Sequence, residues 1–145
     1  MWIRVVVLAG ALFACSSDPG VAGTWFMETI TVSGATVELS PEIRTLAHDV
    51  PAWISFDSDG HVTGELPCNS LMGEYESGAS DTMSWEVATT AALCLEPAGV
   101  MEAEEAMTDL IWTPEVEVSV SDGGLVITGS NVTMTLARYA PTQPK

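Results

Sequence analysis

Glu115-Val116-Glu117-Val118-Ser119-Val120-Ser121-Asp122-Gly123-Gly124-Leu125-Val126-Ile127-Thr128-Gly129-Ser130-Asn131-Val132-Thr133-Met134-Thr135-Leu136-Ala137-Arg138-Tyr139 is the stretch that decides the fold. Val116, Val118 and Val120 fall on one face of an extended chain, because side chains alternate across a strand. Asp122-Gly123-Gly124 and Gly129-Ser130-Asn131 supply residues that tolerate tight turns. Leu125 to Thr128 returns, and Val132 to Tyr139 runs last with Met134 and Leu136 inward. This is a three-strand antiparallel meander.

The same alternation recurs upstream. Thr24 to Val32 reads as a first strand, with Trp25, Met27 and the β-branched positions near Ile30 inward; it turns at Ser33-Gly34, and Val37 to Leu39 is placed to pair back. Ser40-Pro41 opens Glu42 to His48, a stretch compatible with a helical turn or a loop. Trp53 to Phe56, Asp57-Ser58-Asp59-Gly60 and His61 to Gly64 read as a hairpin, followed by short strands at Leu71 to Tyr75 and Met83 to Val87. Pro97 then stands near the start of a helix from Ala98 to Ile111. Val100, Met101, Ala103, Met107, Leu110 and Ile111 form its apolar stripe, against Glu102, Glu105, Thr108 and Asp109. Strands, one helix, then strands, with no βαβ rhythm, predict an α+β domain: a small antiparallel β-sheet or partial barrel packed with one main α-helix.

The amino-terminal segment has a different character. Arg4 precedes an apolar run, Val5 to Phe13, too short to span a bilayer, which takes roughly 20 helical residues. Leu12-Phe13-Ala14-Cys15-Ser16-Ser17 resembles the lipobox of bacterial lipoproteins, although Phe13 is bulky where small residues are usual. That resemblance implies a lipoprotein signal peptide over residues 1–14, diacylglycerol on Cys15, and a lipidated tether over residues 15–22. Ser16 in place of Asp after the cysteine implies sorting to the outer membrane of a bacterial cell envelope. Each buried acyl CH₂ contributes about 0.8 kcal/mol, so several chains hold a protein stably at a membrane surface. The alternatives are a plain secretory signal cut after Ala14 and an ordinary buried cysteine.

Removing residues 1–14 leaves Arg44, Arg138 and Lys145 against all 20 Asp and Glu, a net charge near −17. About 130 residues make one domain, enough to bury roughly two-thirds of the unfolded surface. Three cations cannot replace the counterions of a phosphate backbone, so nucleic acid is excluded as a partner. A cationic peptide, basic protein or divalent metal fits the charge, with attraction that fades beyond a Debye length of roughly 8 Å. The simplest reading of the charge is solubility.

Three cysteines are an odd number for an oxidising compartment. With Cys15 taken by lipid, Cys68 and Cys94 remain as a candidate disulfide whose loop of about 26 residues is worth on the order of 3 kcal/mol. A metal site would need more ligands than these and the distant His48 and His61 offer. A catalytic thiol would need a base beside it. For the Asp-rich turn, an EF-hand counted from Asp57 requires Gly and Glu where the chain has Val62 and Cys68. His61 beside Asp59 or Glu65 has no identifiable nucleophile, so the reading is of a protein that is not an enzyme, without catalytic residues, metal or cofactor.

Gly23-Thr24-Trp25, Phe56 to Gly64, Cys68-Asn69-Ser70-Leu71-Met72-Gly73-Glu74-Tyr75, Thr89-Thr90-Ala91-Ala92-Leu93-Cys94 and the acidic Met101-Glu102-Ala103-Glu104 together resemble the META domain family, which includes HslJ-type heat-shock proteins. The likeness spans residues 23–141 and leaves 142–145 as a tail. The Cys-Asn-x-x-x-Gly-x-Tyr element carries most of it, since lipocalin-like domains share the Gly-Thr-Trp start. Pro67 stands where the family usually has Gly, and Pro fixes φ and removes a donor. The resemblance implies a small antiparallel sheet with a helix, frequently in envelope lipoproteins, some linked to heat shock, drug tolerance or secretion, with no general catalytic activity. The expected function is thus a non-catalytic envelope lipoprotein, stress-related or an interaction module. The alternative is a lipocalin-like small-ligand carrier in which Trp25, Trp53 and Trp85 line a cavity in place of filling a core.

Overall fold

The computed structural model describes residues 20–37, 39, 42–45 and 49–138. Its elements are β1 (Gly23–Val32), β2 (Ala35–Val37), β3 (Trp53–Phe56), β4 (His61–Glu65), β5 (Ser70–Ser77), β6 (Thr82–Thr89), α1 (Val100–Ile111), β7 (Glu115–Ser121), β8 (Gly124–Gly129) and β9 (Val132–Ala137). Neighbouring strands run β1-β3-β4-β5-β6-β7-β8-β9, all antiparallel. β9 pairs back onto β1 from Phe26↔Ala137 to Val32↔Val132, so eight strands close into a barrel. β2 joins the opposite edge of β1 through Ile30↔Val37 to Val32↔Ala35.

The expected antiparallel sheet and single helix are present, but the sheet closes and the fold is mostly β. Closure follows from the length of β1. Its first residues, Gly23 to Phe26, pair with β3, while Phe26 to Val32 pair with β9, so one strand seals both sides of the barrel. Closure leaves the eight strands without an open pair of sheet edges.

A bulge makes that double duty possible. The β1–β9 register shifts between Met27 and Thr29, and burial changes phase there: Trp25 and Met27 are buried before it and Ile30 after it. One extra residue, Glu28, re-aims the strand, which is why strict alternation through Ile30 does not describe it.

Inside, Trp25, Phe56, Met83, Leu125, Ile127 and Met134 belong to one continuous apolar cluster. An eight-stranded barrel has an interior just wide enough for side chains to fill. α1 contributes Ala106, Met107, Leu110 and Ile111 to the same cluster. The strand directions define two ends. The turns at 57–60, 78–81 and 122–123 lie with the start of β1 at one end, here the N-terminal end. The connection 66–69, the segment 90–99, α1 and the turn at Ser130-Asn131 occupy the other, the helix end.

Candidate functional site

At the helix end, three separate pieces of chain are tied together by polar groups. β4 reverses into β5 through Pro67 and Cys68, closed by a 2.7 Å bond from the Leu66 N–H to the Asn69 carbonyl. Pro67 fits this turn because Leu66, not residue 67, donates the closing bond. Pro67 is thus compatible with a closed turn at this position. The Cys68 N–H points instead at α1, donating to Glu104 Oε2 at 3.0 Å.

Asn69 uses its whole side-chain amide. Its Nδ2 donates to Glu104 Oε1 at 2.9 Å and to the Ala92 carbonyl at 3.2 Å, while its Oδ1 accepts from the Ala92 N–H at 2.6 Å and the Thr90 hydroxyl at 2.9 Å. Two donors and two acceptor positions are all filled, which also fixes the orientation of the amide. Ser70 N–H donates to Thr90 Oγ1 at 3.0 Å, extending the tie. The Cys68–Cys94 disulfide, with Cα atoms 5.9 Å apart, closes the arrangement as the cysteine count expects. Cys68, Cys94 and Val100 form a small apolar cluster of their own, with Ile43 and Met101 packed against it.

Glu104, quoted in the sequence only within the acidic part of the family resemblance, is the residue whose buried role sequence reasoning missed. It is only 3 % exposed, and burial pushes its carboxyl above the usual carboxylate range against the hydrogen bonds from Cys68 and Asn69 that favour its charge. A signal was available. Glu104 sits four residues after Val100 and three before Met107, in the middle of the apolar stripe, where an acid requires buried partners.

The other motif residues have equally local reasons. A Cβ on Gly73 would collide with the backbone of Glu86 and Val87 across β5–β6. Tyr75 packs edge-on against Phe56 at 5.0 Å and donates its hydroxyl to the Asp57 carbonyl at 2.6 Å, pinning the 57–60 turn. The motif is therefore a set of structural ties that spans both ends of the barrel.

A META domain family model matches residues 20–141. The chain belongs to the META domain family. An NMR structure of a protein from Burkholderia xenovorans is similar at 18% identity, covering 94% of this chain and 99% of that one with a TM-score of 0.59. A second NMR structure gives 19% identity over 83% of this chain and 93% of that one, with a TM-score of 0.58. A crystal structure of a DUF4847 family protein from Bacteroides vulgatus gives 13% identity, 84% and 96% coverage and a TM-score of 0.50. These likenesses speak to the fold. The search of curated proteins returned no match.

Elsewhere in this META domain, the nominated residues fall in simpler places. The carboxylate nearest His61 belongs to Asp57, and not to Asp59 or Glu65. The His61 Nδ1 lies 3.4 Å from Asp57 Oδ2 on the exposed turn, while Glu65 accepts from Ser70 Oγ at 3.1 Å. Asp57 Oδ1 accepts the His61 and Asp59 N–H groups, each at 2.9 Å. The His61 N–H in particular holds the Asp57 carboxyl below its ordinary value. This is a turn-stabilising pattern. Trp25 and Trp85 are buried in the barrel core, Trp85 stacked on Phe56 at 6.4 Å, and Trp53 is half-buried on β3. Among the described residues, no three His, Cys, Asp or Glu side chains gather as a metal site. Cys15 and His48 lie outside the described residues.

Two surface features remain. Beside β5 and β6 lies an open groove of about 520 Å³ lined by Asp59, Glu74, Glu76 and Glu86 together with Ser84 and Pro114, and no basic residue lines it. Glu74 and Glu86 stand directly opposite in the β5–β6 register, an unfavourable like-charge pair. At the N-terminal end, the Arg138 guanidinium lies 3.8 Å over the Trp25 ring and donates to the Ala22 carbonyl at 2.8 Å.

Proposed function

We propose that this META domain protein is a non-catalytic lipoprotein of the bacterial cell envelope, held at the outer membrane by lipid on Cys15 and acting as an interaction module. The observation that carries the reading is the Cys68–Cys94 disulfide. It fits an oxidising compartment, and it leaves Cys15 as the odd thiol of three, directly after an apolar run of signal-peptide character. The side chains that fill the barrel support an interaction role over a small-ligand carrier, because Trp25, Phe56 and Trp85 occupy the volume a carrier would keep open. The partner chemistry this reading favours is cationic, in keeping with the net charge and with the acidic groove beside β5 and β6.

The test is a Cys15→Ser variant expressed in its own type of cell. The parent should partition with membranes and carry the added mass of acyl chains; the variant should lose both. Unchanged mass and partitioning would end the lipoprotein reading. In-cell crosslinking of the anchored parent, repeated at raised salt, then asks for a partner whose capture weakens as salt rises.

A further inference from the structure

The chain leaves the barrel at a point that is firmly fixed. Val21 is fully buried and its carbonyl accepts the Trp25 Nε1–H at 2.7 Å. Ala22 is held by Arg138, whose guanidinium also covers the Trp25 ring. Gly23, at φ +121°, allows that closure: a Cβ there would collide with the Arg138 guanidinium. The rigid body therefore begins at Val21, at the N-terminal end of the barrel.

Resting on the lipid anchor proposed above, this fixes a geometry. From Cys15 to Val21 there are six residue steps, a reach of at most about 20 Å. A strand such as the eight-residue β5, rising about 3.3 Å per residue and tilted by about 40°, spans roughly 20 Å along the barrel axis. The 90–99 segment and α1 lie beyond that span, so a barrel inverted onto its helix end would set Val21 farther from the bilayer than the tether reaches. Laying the barrel on the side of β5 and β6 would press Glu74, Glu76 and Glu86 toward the headgroups, which an anionic surface opposes.

We propose that the anchored protein is held end-on: the turns at 57–60, 78–81 and 122–123 face the bilayer, and the helix end is displayed away from it. The pinned Val21–Trp25–Arg138 junction sets this orientation, and the short tether preserves it. Leu93 and Leu95, 73 % and 77 % exposed on either side of Cys94, then face the aqueous side and not the lipid. Asp57, Asp59, Asp81 and Asp122, exposed on the near turns, keep that end from adsorbing to anionic headgroups.

The experiment uses the full mature protein with its own acyl chains, reconstituted into phosphatidylcholine vesicles that carry a headgroup-nitroxide lipid. A fluorophore is placed at Asp122→Cys in one sample and Leu95→Cys in another, after the native disulfide has been verified in each. Flotation comes first: protein that fails to float overturns the anchor itself. For protein that floats, quenching at position 122 should exceed that at position 95 several-fold, and equal or reversed quenching would overturn the orientation while leaving the anchor standing. A ten-residue Gly-Ser insertion after Ser17 should shrink the difference; a difference that survives it in full would refute the short tether as the cause.

Discussion

The barrel interior and the helix-end tie are built on opposite principles. In the barrel, stability is spread over an apolar cluster that reaches from Val21 to Leu136, backed by a closed antiparallel ladder. At the helix end, α1 lends Ala106, Met107, Leu110 and Ile111 to that same cluster, but where the Cys68-Asn69 turn, the 90–99 segment and the start of α1 meet, the buried cluster is only Cys68, Cys94 and Val100, and order depends on a disulfide, one asparagine and one buried carboxylate. Burial energy is non-directional and tolerates rearrangement, whereas a fully satisfied polar network specifies one arrangement. Within the family motif, Gly73 and Tyr75 serve the β5–β6 pairing and the 57–60 turn, whereas Cys68 and Asn69 sit at the less apolar end. There, position is enforced residue by residue.

The strongest way to break this contrast is to attack each side at its centre. Trp25→Ala removes a fully buried ring, its bond to Val21 and the platform under Arg138, and should cost about 3–5 kcal/mol in a global urea transition. A smaller effect is expected from the double variant Cys68→Ala, Cys94→Ala, about 2–4 kcal/mol. Its location is the sharper readout. Amide exchange should accelerate first across 90–99, while strands β7 to β9 stay protected up to the global limit. If exchange rose uniformly instead, the helix end would not be a separable unit and the comparison would fail.

How much of this was legible follows the same division. The meander at 116–137 and the 57–60 hairpin were readable, because turn residues and period-two alternation are local. Closure was not. It depends on β1 pairing with β9 at least 100 residues away, and on a bulge at Glu28 that hides the phase change from Met27 to Ile30. The two cysteines could be paired by counting, since each needed only the other. Glu104 could not be placed the same way: its partners Cys68 and Asn69 come from a turn 35 and 36 residues distant, and nothing local to α1 names them. The resemblance brought Asn69 and Glu104 into view together as motif residues, but their contact is a product of how α1 caps the barrel.

The smallest expected effect is the most discriminating, because it isolates the carboxylate from the packing around it. Glu104 has its folded value raised above the ordinary 4.5, chiefly by burial. A raised acid means that the folded state holds its proton more tightly than the unfolded state does. Its contribution is therefore fully present below about pH 4, and it declines as pH rises through the folded value. Glu104→Gln keeps the size of the side chain but cannot titrate, and its amide sets one donor against the N–H groups of Cys68 or Asn69. Urea midpoints measured from pH 4 to 7 should fall for the parent relative to the variant, so the parent's advantage shrinks toward neutrality. A parent advantage that grew with pH would mean that the two N–H donors outweigh burial and that the folded carboxylate is charged. In that case the helix end would be held by an ionic centre, and its contrast with the barrel would be deeper than the hydrogen bonds alone imply.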